Sequence, residues 1–299
     1  MRLATLDGSP VLVQTGRHCA VPAASGGRYP TTRAILEDWN GFVTWHGQAE
    51  PVLSWAVTPD GTRWGPPVPD PGQVLGVGLN YAEHKVESSS LLRAGDSGMP
   101  MVFTKWASSI CGPEDDIELQ GDACDFEVEL VLVIGRTADR VAADDALRHV
   151  AGVMVGQDVS QRRLQHGSPA QLGVAKSMRT FAPTGPHLVT LDEAGDLDRL
   201  AIECRVNGRT QQSDTTGSLI LGPAELVALL SGVGPLRPGD LVFTGTPAGV
   251  GHRQDPPRFL RPGDVVDSTI EGLGALHNHC TTSPGRLPGV LATALEGTA

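Results

Sequence analysis

The chain lacks the features that mark several large protein classes. No uninterrupted apolar run approaches the roughly 20 residues that span a bilayer. The opening residues, Met1 to Gly8, meet polar side chains too early to hold the apolar centre of a signal peptide. There is no run of lysine and arginine, and the formal net charge of −11 opposes a nucleic-acid partner. No C-x-x-C pair occurs, and Cys19, Cys111, Cys124, Cys204 and Cys280 are scattered and odd in number. That fits free thiols in a reducing compartment better than a disulfide frame or a zinc site. Low-complexity tracts and long internal repeats are missing too. These absences predict a soluble, cytoplasmic protein that engages neither membrane nor nucleic acid.

What is present is a globular composition, 40% hydrophobic and 19% charged. The 37 glycines and 23 prolines imply many turns and favour a β-rich architecture over a helical bundle. A length of 299 residues accommodates one large domain with a small one. Residues 1–70 read as the small N-terminal domain, and residues 71–299 as the domain that carries the chemistry. In the first, Val11 to Val13 is a short strand, Thr31 to Trp39 a short helix capped by Thr31 or Thr32, and 51–71 a Pro/Gly-rich linker. His18 and His46 there have no partners at useful spacing.

The stretch from Asp125 to Gly135 organises the second domain. It reads as one strand, apolar and β-branched and closed by glycine. Alternation puts Asp125, Glu127 and Glu129 on one face and Phe126, Val128 and Leu130 on the other. From Leu130 to Ile134 both faces are apolar, which predicts burial on both sides. A row of acids entering such a strand is explained by a divalent cation, by Lys or Arg partners, or by an open solvent face.

Around it, Val74 to Asn80 is a strand whose Gly76 and Gly78 permit close backbone approach. Without a third glycine and a following amphipathic helix it is no dinucleotide fingerprint. Tyr81 comes next, then His84 and Glu87, an i,i+3 pair if helical, in which the carboxylate orients the imidazole or both form a surface ion pair. The Ser-rich segment that follows looks mobile, as a lid would. Lys105 ends the strand Val102 to Lys105 as a plain exposed residue or an anion anchor. The strand from Ala151 leads to Asp158, which is expected to cap a helix presenting Arg162 and Gln165 on one face. Lys176 sits in an irregular segment. A hairpin turning at Asn207–Gly208, a helix through Glu225 to Leu230, and strands within 236–251 and 262–270 complete the domain.

Taken in order, these segments resemble the fumarylacetoacetate hydrolase superfamily over about residues 74 to 280. The resemblance rests on Gly78-Leu-Asn-Tyr-Ala-Glu-His-Lys-Val-Glu87, Phe103-Thr-Lys105, Asp125-Phe-Glu-Val-Glu-Leu130, Asp158-Val-Ser-Gln-Arg162, Lys176-Ser-Met-Arg-Thr-Phe181, and Pro238-Gly-Asp with Thr244-Gly-Thr-Pro-Ala-Gly-Val-Gly251. The group most like it contains acylpyruvases, fumarylpyruvate hydrolases and 2-hydroxyhepta-2,4-diene-1,7-dioate isomerases. The resemblance implies an α+β, β-rich fold, a mixed β-sandwich roll with a small N-terminal α/β domain, assembled as a homodimer. It implies that Glu127, Glu129 and Asp158 hold Mg²⁺ or Mn²⁺, hard oxygen donors suited to a hard cation. Lys176 would stand beside the metal, and His84 with Glu87 would be an acid–base dyad on a lid helix. Tyr81, Lys105, Arg162, Gln165 and Thr246 are carried as substrate-binding residues.

The activity implied is metal-assisted cleavage of a C–C bond in a β-diketo acid of acylpyruvate or fumarylpyruvate type, with the metal as Lewis acid on the enolate. Decarboxylation or isomerisation of oxaloacetate-like 2-oxo diacids shares that enolate and is the nearest alternative. Sugar-acid dehydration and a non-catalytic metal-binding homologue are more distant ones. Two positions depart from the pattern: Arg163 and Arg179 stand where the family usually has acids. They would together bind a more acidic substrate, or pair with other residues on the surface. Gln157 and Ala175, where Asn and Gly are commoner, look minor.

Overall fold

The computed structural model describes residues 1–82, 99–285 and 288–295; His84, Glu87 and the Ser-rich segment lie outside the described residues. The fold is the expected sheet-dominated α+β. Its main sheet runs in the order Ala56–Val57, Arg17–Ala20, Ser9–Gln14, Arg2–Leu6, Ala182–Val189, Val150–Gln157, Val128–Ile134, Leu241–Phe243, Val74–Gly78, Met101–Lys105. The strand Val128–Ile134 lies between two antiparallel partners and is buried at every residue. Its alternation divides the core: Leu130, Leu132 and Ile134 join one apolar cluster, Val131 and Val133 the other. A strand apolar on both faces can only be satisfied by such a two-sided position.

A second sheet, in the order Arg209–Thr215, Ala201–Val206, Val265–Ile270, Gly274–Thr282, Ile117–Leu119, covers the first of these clusters. Its hairpin turns at Asn207 and Gly208 with φ of 53° and 73°, the left-handed pair that a two-residue turn of this twist requires. At the other end, Arg2–Leu6 pairs with Ala182–Val189, so the sheet continues from residues 1–70 into the rest of the chain. Tyr29, Trp39 and Phe42 share a core with Val131, Val133 and Met154. Thr31 caps Thr32–Glu37 by accepting from Ala34 N at 3.1 Å; a further helix, Trp39–Ala49, begins where the sequence reading stops. All five cysteines are buried free thiols. Among the described residues no helix is long and apolar enough to cross a membrane.

Two local expectations are corrected. The acidic strand is not continuous, because Phe126 and Glu127 separate Cys124–Asp125, which pairs with Ser160–Gln161, from Val128–Ile134. Side chains take the backbone groups there: Asp125 Oδ1 accepts from Phe126 N at 2.9 Å, and Gln157 Oε1 accepts from Glu127 N. Nor does Asp158 cap a helix. Ser160–Gln161 is extended, and Gln161 caps Arg162–Gln165 by accepting from Arg163 N at 2.8 Å.

Candidate active site

The break in the acidic strand creates the site. The register sets Val128 opposite Gln157, so the residues just beyond that pair, Glu127 and Asp158, come side by side. Asp158 N donates to Glu127 O at 2.8 Å. Glu129 points to the same place from within the strand, and Gly245 N donates to its Oε2 at 2.8 Å. Ligand oxygens of Glu127, Glu129 and Asp158 all lie within 4.8 Å of one another and all three residues are buried. Among the described residues no other group of this kind occurs.

Buried cations surround the acids. Lys176 Nζ donates to Glu127 Oε2 at 2.6 Å and Asp158 Oδ2 at 2.5 Å. Burial pulls this ammonium down, but Asp158 and Glu127 outweigh it and hold it above its ordinary value. Arg162 donates through Nε to Asp125 Oδ2 at 2.8 Å, through Nη1 to Gln165 Oε1 at 2.6 Å, and through Nη2 to Glu127 Oε1. Among the described residues the buried acids Asp125, Glu127, Glu129 and Asp158 face the buried cations Lys105, Arg162 and Lys176, four carboxyl groups against three cations. Glu129 carries the mismatch: burial, then Asp158 and Glu127, raise its carboxyl well above the usual range. A divalent cation fits this set. It would meet hard oxygens, offset the mutual repulsion of the acids and favour the charged form of Glu129.

Lys105 requires a correction. It is buried, not exposed, and its ammonium donates to Asp158 Oδ1 at 2.6 Å, Phe181 O at 3.0 Å and Lys176 O. Three acceptors take its three protons, so it holds Asp158 in place and has no proton left for a substrate. Glu127, Glu129, Arg162, Gln165, Lys176 and Thr246 do open onto one pocket, walled by Phe103 and Leu172. Gln165 gives its oxygen to Arg162 and keeps its amide N–H₂ for a ligand. Thr246 donates its proton to Val128 O at 2.8 Å and accepts from Gln212 at 2.7 Å. Tyr81 is fully buried outside the pocket lining, its hydroxyl without a partner among the described residues. Burial, followed by Glu129 and Asp214, raises its pKa.

Arg163 and Arg179 stay out of the pocket. Arg163 forms a fork with Asp122, at 2.6 and 2.7 Å, on the surface, and Arg179 is exposed. The residue that sequence reasoning missed is His252, which lines the pocket and places Nδ1 3.0 Å from Asp125 Oδ2. Burial holds its pKa below the ordinary value. Gln157 was underrated, since it receives Glu127 N and donates to Ser268 Oγ at 2.9 Å, fixing the backbone of an acid of the cluster.

The model of the fumarylacetoacetate (FAA) hydrolase C-terminal domain matches residues 73–281. The chain belongs to this family. It is 43% identical over 215 residues to the mitochondrial oxaloacetate tautomerase FAHD2A of Bos taurus, covering 71% of this chain and 67% of that protein. The fumarylacetoacetate hydrolase of Exiguobacterium antarcticum superposes with a TM-score of 0.78 at 31% identity, covering 94% of this chain and 98% of that one. The maleylpyruvate hydrolase of Sphingobium sp. SYK-6, solved with manganese(II) and pyruvate, gives 0.78 at 26% identity, over 95% of this chain and 100% of that one. FAA hydrolase family members thus include tautomerases and hydrolases built on one fold.

Proposed function

We propose that this chain is a divalent-metal-dependent tautomerase of 2-oxo diacids of the oxaloacetate type, moving a proton between C3 and the 2-oxo oxygen. The observation that carries the metal-dependent part is the buried trio Glu127, Glu129 and Asp158, whose ligand oxygens lie within 4.8 Å of one another. The choice of proton shift is supported by the 43% identity to an oxaloacetate tautomerase. Glu127, Glu129 and Asp158 would hold Mg²⁺ or Mn²⁺. When bound, the cation supplies Lewis acidity toward a 2-oxo group.

The chain's own residues do the rest. The Lys176 ammonium lies between two of the acids and faces the pocket, where it attracts a substrate carboxylate. The free Gln165 amide donates to a substrate oxygen, and Arg162 stiffens Gln165 and Glu127 together. Phe103 and Leu172 keep water from one wall, which strengthens each of these contacts. His84 and Glu87 are proposed as an acid–base dyad, as the family resemblance implies.

Hydrolysis of a C–C bond in an acylpyruvate is the second reading, favoured by the likeness to a maleylpyruvate hydrolase. NMR of the purified protein with Mg²⁺ and a panel of oxaloacetate, acylpyruvates and fumarylpyruvate separates the two. Accelerated keto–enol exchange of oxaloacetate without new products supports the tautomerase. Pyruvate plus a free acid from an acylpyruvate would replace it with the hydrolase.

A further inference from the structure

The pocket that holds the acids is also lined by a histidine, His252. His252 lies in the short turn Gly251–Arg253 that ends the glycine-rich run. Its side chain and its backbone N–H both reach Asp125 Oδ2, each at 3.0 Å. Asp125 also accepts from Gly251 N at 2.7 Å and Arg162 Nε at 2.8 Å, so it is fixed from several sides. A carboxylate only accepts, so the hydrogen between it and the imidazole sits on Nδ1. In the neutral ring Nε2 then carries a lone pair. That nitrogen is buried and has no hydrogen-bond partner among the described residues. His252 shares the pocket wall with Glu127, Glu129 and Arg162, and the His166 ring lies beside it, centroids 5.5 Å apart. A buried nitrogen left without a partner is unfavourable, and a ligand that brings it a proton removes the penalty.

We propose that His252 Nε2 is the base that takes the C3 proton of the bound 2-oxo diacid, with Asp125 fixing its tautomer. This rests on the tautomerase reading. The C3–H bond breaks and its proton passes to Nε2. The freed pair forms the C2=C3 double bond as the carbonyl π pair moves onto oxygen. Water protonates that oxygen to give the enol, and the hydroxide left behind takes the proton from Nε2. Asp125 is the counter-ion while the ring is charged, the arrangement that makes a His–carboxylate pair an effective base. His252 sits on the turn Gly251–Arg253, whose Gly251 N and His252 N both donate to Asp125.

The test uses the full chain with Mg²⁺ and follows the relaxation of oxaloacetate from enol to keto by absorbance. His252→Asn keeps a donor at the Nδ1 position and removes Nε2. The expected result is a kcat lower by on the order of 10²–10⁴ with KM and melting temperature unchanged, and partial rescue of His252→Gly by added imidazole. Independently of turnover, ¹⁵N NMR of the wild type at neutral pH should show His252 as the Nδ1–H tautomer. Unchanged kcat in His252→Asn, or an Nε2–H tautomer, overturns the role of His252. A wild type that does not accelerate relaxation overturns the tautomerase reading instead, and the NMR result, which needs no turnover, tells the two failures apart.

Discussion

Glu129 is the residue on which the charge balance turns. It accepts from the backbone N–H of Gly245, while Glu127 and Asp158 each hold a buried cation. Glu129→Gln should therefore raise the melting temperature of the metal-free protein, because a neutral amide meets neither the burial penalty nor the repulsion of Asp158 and Glu127 that raise the Glu129 pKa. It should also weaken Mn²⁺ binding, read by calorimetry, by at least about tenfold, the scale at which even outer-shell changes act. Equal Mn²⁺ affinity in the variant would contradict the metal assignment. Lys105→Met should strip Asp158 of a buried partner and lower stability to urea by about 3–5 kcal/mol; a loss near zero would return Lys105 to a ligand-facing role. By contrast the Arg163–Asp122 fork is exposed, a setting worth about 0–1 kcal/mol. Arg179→Asp and Arg163→Ala should leave KM unchanged, and a severalfold rise would restore them as substrate contacts. Glu127 and Glu129 stood out in the sequence as acids at alternate positions entering an apolar strand, whereas Asp158 was legible as their partner only through the family resemblance. Lys105 was not, since a lysine at a strand end reads the same whether it meets water or a buried aspartate. His252 escaped notice because its partner lies 127 positions away.

At the scale of elements, the glycine-rich turn does more than close a strand. A Cβ on Gly251 would collide with the Arg258 carbonyl and the Asp125 carboxylate, so the turn can approach Asp125 only as glycine. Gly251→Ala should lose about 1–3 kcal/mol in urea unfolding, the range for overpacking a tight site, and should disturb the His252 tautomer seen by NMR. A variant as stable as wild type would show that the turn has room to move. Local signals predicted the elements whose cause is local: the Asn207–Gly208 hairpin, the Thr31 cap and the doubly buried Val128–Ile134. They failed where distant partners decide. The interruption at Phe126 and Glu127 depends on Gln157, on Gly251 and on the strand Ser160–Gln161, none of which the pattern of Asp125 to Gly135 reveals. The helix from Trp39 continues because Trp39 and Phe42 meet a core to which distant residues such as Val131, Val133, Ala151 and Met154 contribute.

In the whole molecule, the shared sheet ties the first residues to the site. The strand that pairs with Arg2–Leu6, Ala182–Val189, also pairs with Val150–Gln157, which ends beside Asp158. A large cleft under the N-terminal strands, lined by Trp39, Trp55, Trp64 and His187, lies apart from the acids. Burial, with Arg2 adding to it, lowers the His187 pKa to about 4, from an ordinary value of 6.5. The unfolded chain therefore binds more protons between these values, and stability should fall as pH drops from about 6.5 toward about 4. His187→Gln should lose less melting temperature than wild type between pH of about 7.5 and about 5; equal losses would place the acid sensitivity elsewhere. We also propose a homodimer, for which light scattering should give twice the chain mass. The central claim, that the acid trio turns this fold into a metal-dependent enolising enzyme, is tested most directly by the relaxation of oxaloacetate from enol to keto. The account predicts acceleration by the wild type with Mg²⁺, lost on chelation and in Glu129→Gln. Acceleration that survives both would contradict it.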